Sequence, residues 1–269
     1  MSECGAREGR AVGEGMRSRV LRAGDGVALH VGVTGYGPDV VMLSGGPGCV
    51  NYLEDDAIAP AGVRSWYPEP RGVGRSGGGP HGLTRAVDDL DDVRRAAGVA
   101  SWIVVGHSWG ADLAVCYALR HPEPVAGVVA VAGTGLQNDR SWSEQYQALK
   151  GGEPDLSIPG VREVHAALLG SYRRWIREPD VFRQVADSPV PMRFVAAGGD
   201  IRPSWPLEQL AALAPHGRFV RILGVPHDFW ATHPLTWKAV VTDICGEFTR
   251  TGDGPSSAIT PGVGFVDEG

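Results

Sequence analysis

The feature that most constrains the fold of this chain is a regular alternation of short apolar runs with longer stretches of helical spacing. The apolar runs are rich in β-branched side chains, which is typical of strands covered on both faces of a sheet. Alternating strands and helices predict a mostly parallel sheet with helices on both faces. The predicted strands are residues 40–43, 102–105, 128–132, 193–197 and 219–223, with 27–33 as an early edge strand; the predicted helices are 84–97, 111–120, 207–213 and 235–250.

One stretch interrupts the alternation. More than fifty residues separate the predicted strand that ends near Gly133 from the next one, which begins near Met192. Helical spacing recurs within this stretch, but no convincing strand does. The sequence therefore predicts a small helical cap at residues 136–190, with helices at 142–149, 161–176 and 180–186.

The chain has 269 residues, a length that suits one domain with an insertion. We expect the core to comprise residues 18–135 and 191–250. Both ends of the chain are rich in Gly, Ser, Pro and charged residues, which is typical of flexible termini. Residues 1–17 and 251–269 are therefore predicted to be flexible.

The composition excludes several classes of protein. The formal net charge is -6 with acidic and basic residues interspersed, whereas a nucleic-acid-binding surface needs clustered basic residues. No apolar run reaches the ~20 residues that span a bilayer, and none near the start resembles a signal peptide. We therefore expect a cytoplasmic protein with neither a nucleic-acid nor a membrane partner. Its oligomeric state is not visible in the sequence.

The cysteines predict neither a metal site nor a disulfide framework. No two of them form a C-x-x-C pair, the spacing that is typical of zinc sites. The sequence also has no dinucleotide or phosphate-loop motif, so we expect no cofactor. The four cysteines are Cys4, Cys49, Cys116 and Cys245, and buried free thiols are the expected state.

The chemistry of the chain centres on residues 106–110, which read GHSWG. This G-x-S-x-G segment directly follows the predicted strand at 102–105 and opens the next helix. In that context the serine lies on a strained turn with its oxygen exposed, and small residues on either side prevent collisions. Ser108 is therefore the candidate nucleophile. The alternative is a serine that caps a helix.

A glycine-rich loop, residues 44–48 (SGGPG), follows the predicted strand at 40–43. Glycines allow backbone N–H groups to approach a substrate oxygen closely. An oxyanion hole in this context takes one N–H from the residue after the nucleophile, here Trp109, and another from such a loop. Gly45 and Gly46 are the loop candidates. The alternative is a plain Gly-Pro turn.

The acid and the base follow in the chain order Ser, Asp, His. Asp200 follows the predicted strand at 193–197, and His227 lies on the loop after the strand at 219–223. Catalytic groups gather at the carboxyl edge of such a sheet, so His227 can take the serine proton while Asp200 holds its other ring nitrogen. Other candidates fit the order or the edge less well and are expected to be surface or capping residues, namely His121, His216, His233 and Asp228.

Three segments resemble the proline iminopeptidase branch of the α/β hydrolases. Residues 44–48 (SGGPG) are similar to that branch's HGGPG, 69–76 (EPRGVGRS) to its DQRGxGxS, and 106–110 to its GGSWG. The resemblance implies an α/β-hydrolase fold, a Ser108–His227–Asp200 triad, and oxyanion donors near Gly46 and at Trp109. The resemblance also suggests that Arg71 holds the loops around the site, with a surface ion pair as the alternative.

The chain also departs from the pattern of this branch. Ser44 replaces the loop histidine, Glu69 replaces an aspartate and Pro70 replaces a glutamine. Iminopeptidases hold the free amine of the substrate with carboxylates of the cap, and no such motif is apparent in this chain. The carboxylates available in the cap are Glu144, Glu153, Glu163 and Glu178. The ordinary explanation for each of them is a solvent-exposed position on a surface helix.

These features predict a serine hydrolase that forms an acyl-enzyme on a small amide or ester, including short peptides. The alternatives are an esterase or thioesterase, an acyltransferase that tailors a natural product, and a non-catalytic binding module. A serine at this position excludes the branches that use aspartate there to open epoxides or remove halogens. Aromatic side chains are candidates for the substrate pocket, although core packing is their default role, namely Trp142, Trp175, Trp205 and Trp230.

Overall fold

A computed structural model describes residues 15–250 and 265–266. They form one nine-stranded sheet in the order β1-β2-β4-β3-β5-β6-β7-β8-β9. The strands from β4 through β3 to β8 are parallel to one another, which confirms the predicted fold class. The strands are β1 (Arg17–Arg22), β2 (Ala28–Gly35), β3 (Asp39–Leu43), β4 (Arg64–Pro68), β5 (Trp102–His107), β6 (Val125–Val131), β7 (Met192–Ala197), β8 (Gly217–Ile222) and β9 (Phe265–Val266).

Helices cover both faces of this sheet because each strand divides its side chains between two apolar layers. In β5, Trp102 and Val104 point into one layer, and Ile103 and Val105 point into the other. The first layer contains α1, α2, α4 and α6, and the second contains α8. The helices are α1 (Leu83–Ala96), α2 (Trp109–Arg120), α3 (Arg140–Leu149), α4 (Arg162–Trp175), α5 (Val181–Ala186), α6 (Trp205–Leu213), α7 (Phe229–Thr232) and α8 (Pro234–Arg250), with a 3-10 turn at Lys150–Gly152.

Two strands at the start of the sheet were not predicted from the sequence. β1 is largely exposed and rich in arginine, and β4 carries an arginine, aromatic residues and a proline, so neither gives a continuous β-branched run. As a consequence, the predicted edge strand at 27–33 is not at the edge. It lies inside the sheet as β2, paired antiparallel with β1 on one side and with β4 on the other.

The ends of the chain differ in part from the predicted flexible termini. Arg17 is already the first residue of β1, and Phe265–Val266 form β9, which pairs antiparallel with β8. The rest of the predicted flexible ends, residues 1–14 and most of 251–269, lie outside the described residues.

The helices α3, α4 and α5 lie between β6 and β7, with the 3-10 turn following α3. They are attached to the sheet domain unequally. In α3 a single side chain, Trp142, is buried, whereas α4 buries Val164, Leu168 and Tyr172. We call residues 136–190 the cap segment. Within the described residues, no helix is both long enough and apolar enough to cross a lipid bilayer.

Candidate active site

Ser108 occupies a strained turn between β5 and α2. Its backbone has φ 55° and ψ -122°, a region that non-glycine residues rarely adopt. The flanking glycines are a steric requirement of this turn. A Cβ on Gly106 would lie 2.0 Å from the Gly110 carbonyl oxygen, and a Cβ on Gly110 would lie 2.1 Å from that of Leu43. The G-x-S-x-G spacing is therefore what allows the turn to form.

Asp200 and His227 are joined by a short hydrogen bond. The His227 Nδ1–H group donates to Asp200 Oδ2 at 2.6 Å, and the two side chains are 14% and 7% exposed, respectively. Burial alone would raise the pKa of Asp200, but the hydrogen bond from His227 and the charge of Arg202 hold it below its ordinary value. Asp200 therefore stays ionised and fixes the ring, and no described protein group bonds to the second ring nitrogen, Nε2.

The parallel strands bring these three residues to one edge of the sheet. Ser108 follows β5, Asp200 follows β7 and His227 follows β8, so all lie at the carboxyl ends. His107, which precedes Ser108, has its ring centroid 4.8 Å from that of His227. Among the hydrogen bonds of residues 15–250, none joins Ser108 to His227; such bonds often tighten only once substrate is bound. Proton transfer between the two stays a proposal.

The backbone N–H groups near Ser108 differ in their availability. The Gly45 N–H donates to the Tyr52 hydroxyl at 2.6 Å and is therefore occupied. The N–H groups of Gly46 and Trp109 have no acceptor among the described residues, and Trp109 begins α2, where the helix dipole favours an anion. Of the predicted oxyanion donors, Gly46 and Trp109 are thus free to bind a substrate oxygen.

A hydrogen-bonded chain links the glycine-rich loop to the loop of the histidine. His107 donates from Nε2 to the His227 carbonyl oxygen at 2.8 Å, and the Tyr52 hydroxyl donates to His107 Nδ1 at 2.6 Å. Burial, assisted by the nearby His227, lowers the pKa of His107 to about 3, so the ring is neutral and has one donor and one acceptor. Trp230 stacks on the Tyr52 ring at 4.4 Å. Tyr52 lies outside every motif, so nothing in the sequence indicated its part in this chain of bonds.

The cap segment holds the glycine-rich loop from the outside. The Val161 N–H donates to the Gly48 carbonyl at 2.8 Å, and the Val50 N–H donates to that of Pro159 at 3.0 Å. The loop that presents Gly46 is therefore bonded to the segment that leads into α4.

Arg202 joins the cap segment to Asp200. Its guanidinium donates to both carboxylate oxygens of Glu153, at 2.6 and 3.1 Å, and to Asp200 Oδ1 at 3.0 Å. The guanidinium carbon also lies 4.7 Å from the centroid of the Tyr146 ring. Glu153 was one of the cap carboxylates singled out in the sequence, but nothing in the sequence indicated its partner. The other three, Glu144, Glu163 and Glu178, are exposed.

Two openings lie beside these residues, one lined in part by Gly46 and Trp109 and the other by His227. An apolar cavity lies between the glycine-rich loop and helices α1, α2 and α4, and Gly46 and Trp109 form part of its wall. Most of its lining is apolar, including Leu113 and Leu168, and the two carboxylates that line it, Glu69 and Asp89, are both paired with arginines. A more open cleft is lined by residues 153–158 together with 227–228.

The four tryptophans predicted to contact substrate line neither opening. Trp142 is buried and donates from Nε1 to the Pro203 carbonyl at 3.0 Å, Trp175 packs on Tyr172, and Trp205 is 39% exposed. Trp230, on Tyr52, is nearest to the site residues. Contact of these side chains with a substrate stays a prediction.

Arg71 is buried between two carboxylates. It bonds to both oxygens of Asp89, at 2.9 and 2.6 Å, to both oxygens of Asp25, at 2.8 and 3.0 Å, and to the Gly79 carbonyl at 2.9 Å. The alternative of a surface ion pair is therefore wrong, since only 5% of the residue is exposed. Arg71 ties the β1–β2 turn, the loop after β4 and α1 together beside the cavity.

The cysteines in the described part of the chain are unpaired. Cys49, Cys116 and Cys245 are free, while Cys4 lies outside the described residues. Within residues 15–250 and 265–266, no three His, Cys, Asp or Glu side chains are grouped so that they could hold a metal ion.

Comparisons with known proteins agree with this architecture. Residues 38–187 match the family model of the alpha/beta hydrolase fold. A proline iminopeptidase of Xylella fastidiosa (strain 9a5c) is 33% identical over 167 residues, 56% of this chain and 51% of the relative. An epoxide hydrolase of Caballeronia sordidicola is 33% identical over 117 residues, 41% of this chain and 35% of the relative.

The likeness extends to solved structures. The crystal structure of a proline iminopeptidase from Mycobacterium smegmatis matches with a TM-score of 0.68 at 18% identity, covering 88% of this chain and 100% of that one. At this identity the match shows the fold. In sequence, the chain spans about half or less of the length of the curated relatives that it matches.

Proposed function

Because the chain belongs to the alpha/beta hydrolase fold family, we propose that it is a serine hydrolase with Ser108 as nucleophile, His227 as base and Asp200 as the supporting acid. The observation that carries the proposal is the strained backbone of Ser108 at the sheet edge that also presents the bonded Asp200–His227 pair. Strain of this kind persists where the surrounding structure enforces it, and it is concentrated at functional sites.

The proposed reaction begins with attack of Ser108 Oγ on a substrate carbonyl carbon, while the hydroxyl proton passes to His227 Nε2. The carbonyl oxygen becomes an oxyanion between the N–H groups of Gly46 and Trp109. As the tetrahedral intermediate collapses, His227 returns the proton to the leaving amine or alcohol and the acyl-enzyme remains. Water then repeats the sequence and releases the acid. Asp200 stabilises the imidazolium in both halves.

The substrate that the cavity favours is a small amide or ester with an apolar acyl group. Apolar lining beside Gly46 and Trp109 offers an acyl group a place to lose its water shell. The cavity carboxylates Glu69 and Asp89 are already paired with arginines, so a free substrate ammonium has no unpaired partner among the lining residues. For a substrate whose acyl group lies in this cavity, the pairing favours an esterase or amidase over release of an N-terminal proline, the activity named for several relatives.

The epoxide hydrolase relative suggests a different chemistry, and the nucleophile position decides against it here. Epoxide opening on this fold uses an aspartate at the position that Ser108 occupies. With Ser108 at this position, attack on a carbonyl substrate forms a serine ester, and His227 can then activate water to hydrolyse it. The residues present therefore suit acyl transfer.

The test uses two anilides that differ only in the amine. L-Prolyl 4-nitroanilide and cyclopentanecarbonyl 4-nitroanilide share ring size and leaving group, and the 4-nitrophenyl ester of the second acid adds a more reactive carbonyl. We expect kcat/KM to be about tenfold or more higher for the amine-free anilide, since an unpaired buried ammonium costs at least about 1.4 kcal/mol. Preference for the prolyl substrate by that margin contradicts the proposed acyl class and favours an iminopeptidase.

A cavity-filling pair of variants locates the acyl group. Leu113→Trp replaces an aliphatic side chain of the cavity with a bulkier aromatic one, so KM should rise more for larger acyl groups. Leu149→Trp, at an exposed position of the cap segment, should leave KM unchanged.

Product that forms only after an amine, thiol or alcohol acceptor is added would instead favour the acyltransferase alternative.

A further inference from the structure

Both oxygens of the Asp200 carboxylate are held, and only one of them by His227. The His227 ring takes Oδ2, while Oδ1 accepts the Arg202 backbone N–H at 2.9 Å and the Arg202 guanidinium at 3.0 Å. The Arg202 side chain is 13% exposed, and its guanidinium also donates to both carboxylate oxygens of Glu153. The orientation of the catalytic carboxylate therefore depends on a residue whose other partner belongs to the cap segment.

The charges of Asp200, Arg202 and Glu153 alternate in sign along these contacts. Asp200 alone would present one negative charge to His227. Arg202 beside it cancels that charge, and Glu153 restores it by pairing with Arg202 in turn. A His227 imidazolium is thus stabilised by a net negative charge only while Glu153 is docked on Arg202.

Among the described residues, Asp200 alone bonds to the His227 ring, and the other groups nearby form no hydrogen bond or ion pair with it. His107 from β5 is neutral, and the Tyr52 hydroxyl bonds to it rather than to His227. The loop neighbour Asp228 is 7% exposed, and its Oδ2 has no partner among the described residues. Asp155 of the cap segment lines the cleft beside His227 but is exposed, so solvent screens its charge.

We propose that Arg202 and Glu153 are positioning residues that couple docking of the cap segment to the basicity of His227. The inference rests on the proposed triad. When the cap segment is docked, Glu153 offsets Arg202, Asp200 is aimed at Nδ1, and His227 accepts the Ser108 proton readily. When Glu153 leaves, the unbalanced Arg202 charge makes His227 a weaker base. Proton transfer from Ser108 to His227 is therefore most favourable while the cap segment is docked beside the site.

The test compares the pH dependence of kcat/KM for two variants that remove opposite charges. Activity rises with pH as the base loses its proton. We call the rising part of the kcat/KM profile at low pH the acidic limb. Glu153→Gln removes a negative charge, so the acidic limb should move to lower pH by about half a unit or more. Arg202→Gln removes a positive charge, so the limb should move to higher pH. Arg202→Lys keeps the charge and should leave the limb near that of the wild-type protein.

Glu144→Gln is the matched control, because Glu144 is an exposed cap carboxylate. It should leave the acidic limb where it is. The rate of fluorophosphonate labelling against pH gives the same limb without substrate binding. Limbs that stay fixed in Glu153→Gln, or that move in the same direction in both charge variants, overturn the coupling. Should Arg202→Gln not fold, Glu153→Gln alone still decides. A wild-type protein that is not labelled at all contradicts the proposed function instead.

Discussion

The nucleophile turn and the cap segment lie on either side of the same site, yet they are built differently. Around Ser108 the backbone is so closely packed that a single methyl group on Gly106 or Gly110 would overlap a carbonyl oxygen. In the cap segment, a Cβ on Gly151 or Gly152 would meet nothing within 4 Å. One region is held by packing in all directions, whereas α3 and the turn after it are attached mainly through Trp142 and through the contacts of Arg202 with the Tyr146 ring and Glu153.

The two regions therefore have different parts in the proposed reaction and in substrate selection. The packed side holds the proposed nucleophile, the proposed oxyanion donors and the His227 loop through bonds that involve Gly45, Tyr52 and His107. The cap side contributes Glu153 and, through Val164 and Leu168 of α4, one part of the cavity wall. Changes to the packed side should therefore alter stability and turnover together, while changes at exposed positions of the cap segment should have little effect on stability.

Gly110→Ala should have the largest effect. Its Cβ would lie 2.1 Å from the Leu43 carbonyl oxygen, a contact that the sheet cannot relieve without moving β3. We expect a loss of about 4 kcal/mol or more in the free energy of unfolding, or no folded protein at all. Urea denaturation followed by circular dichroism measures the change.

Gly151→Ala is the matched variant in the cap segment. It should change the free energy of unfolding by no more than about 0.5 kcal/mol, because the added methyl group meets open space. Comparable losses in Gly110→Ala and Gly151→Ala would show that the two regions are equally constrained.

A pair of tyrosines gives the next largest contrast. Tyr52→Phe leaves the Gly45 N–H and the His107 Nδ1 without a partner, so we expect a loss of about 1–3 kcal/mol in stability and a fall in kcat of about tenfold or more. Tyr146→Phe removes two hydroxyl contacts of 3.4 Å, which are too long to contribute much. A Tyr146→Phe variant that loses as much kcat as Tyr52→Phe would contradict the distinction.

The pH dependence of stability probes the junction of the two regions. Asp112 of α2 accepts bonds from Thr134 and from the Gly135 N–H, where the chain leaves β6 for the cap segment. Burial raises its pKa to about 7. The folded state therefore holds a proton that the unfolded state has released, so stability should fall as pH rises from about 4 to about 7. Urea unfolding across this range should show the slope in the wild-type protein and a smaller one in Asp112→Asn.

Asp139 serves as the control for this slope. Hydrogen bonds from the Ser141 hydroxyl and the Trp142 N–H lower its pKa, so the stability it contributes is lost only as pH falls below its ordinary range. Asp139→Asn should leave the slope between about pH 5 and about pH 8 unchanged. Equal slopes in the wild-type protein and Asp112→Asn would contradict a buried, proton-holding Asp112.

Much of the packed side could be predicted because its requirements are local. The G-x-S-x-G spacing, the glycine-rich loop and the buried strands each depend on a few adjacent residues, and Ser108, Asp200 and His227 do lie at one sheet edge as expected. β1 and β4 were missed for a local reason too, since exposed arginines and a proline obscure the strand pattern.

The remaining features depend on pairs that are far apart in the chain. Tyr52 meets His107 across 55 positions and Glu153 meets Arg202 across 49, and neither pair has a local pattern. The same holds for the cavity, whose wall combines three helices with the glycine-rich loop. Such contacts become visible only when the sheet order is known.

The most direct measurement is the identification of the residue that a fluorophosphonate modifies. The protein is labelled, digested and analysed by mass spectrometry, with Ser108→Ala and Ser44→Ala as variants; the Ser44 hydroxyl donates to the Val50 carbonyl and should not react. We expect a single adduct on Ser108, present in the wild-type protein and in Ser44→Ala and absent in Ser108→Ala. An adduct on another residue, or labelling that persists in Ser108→Ala, would contradict it.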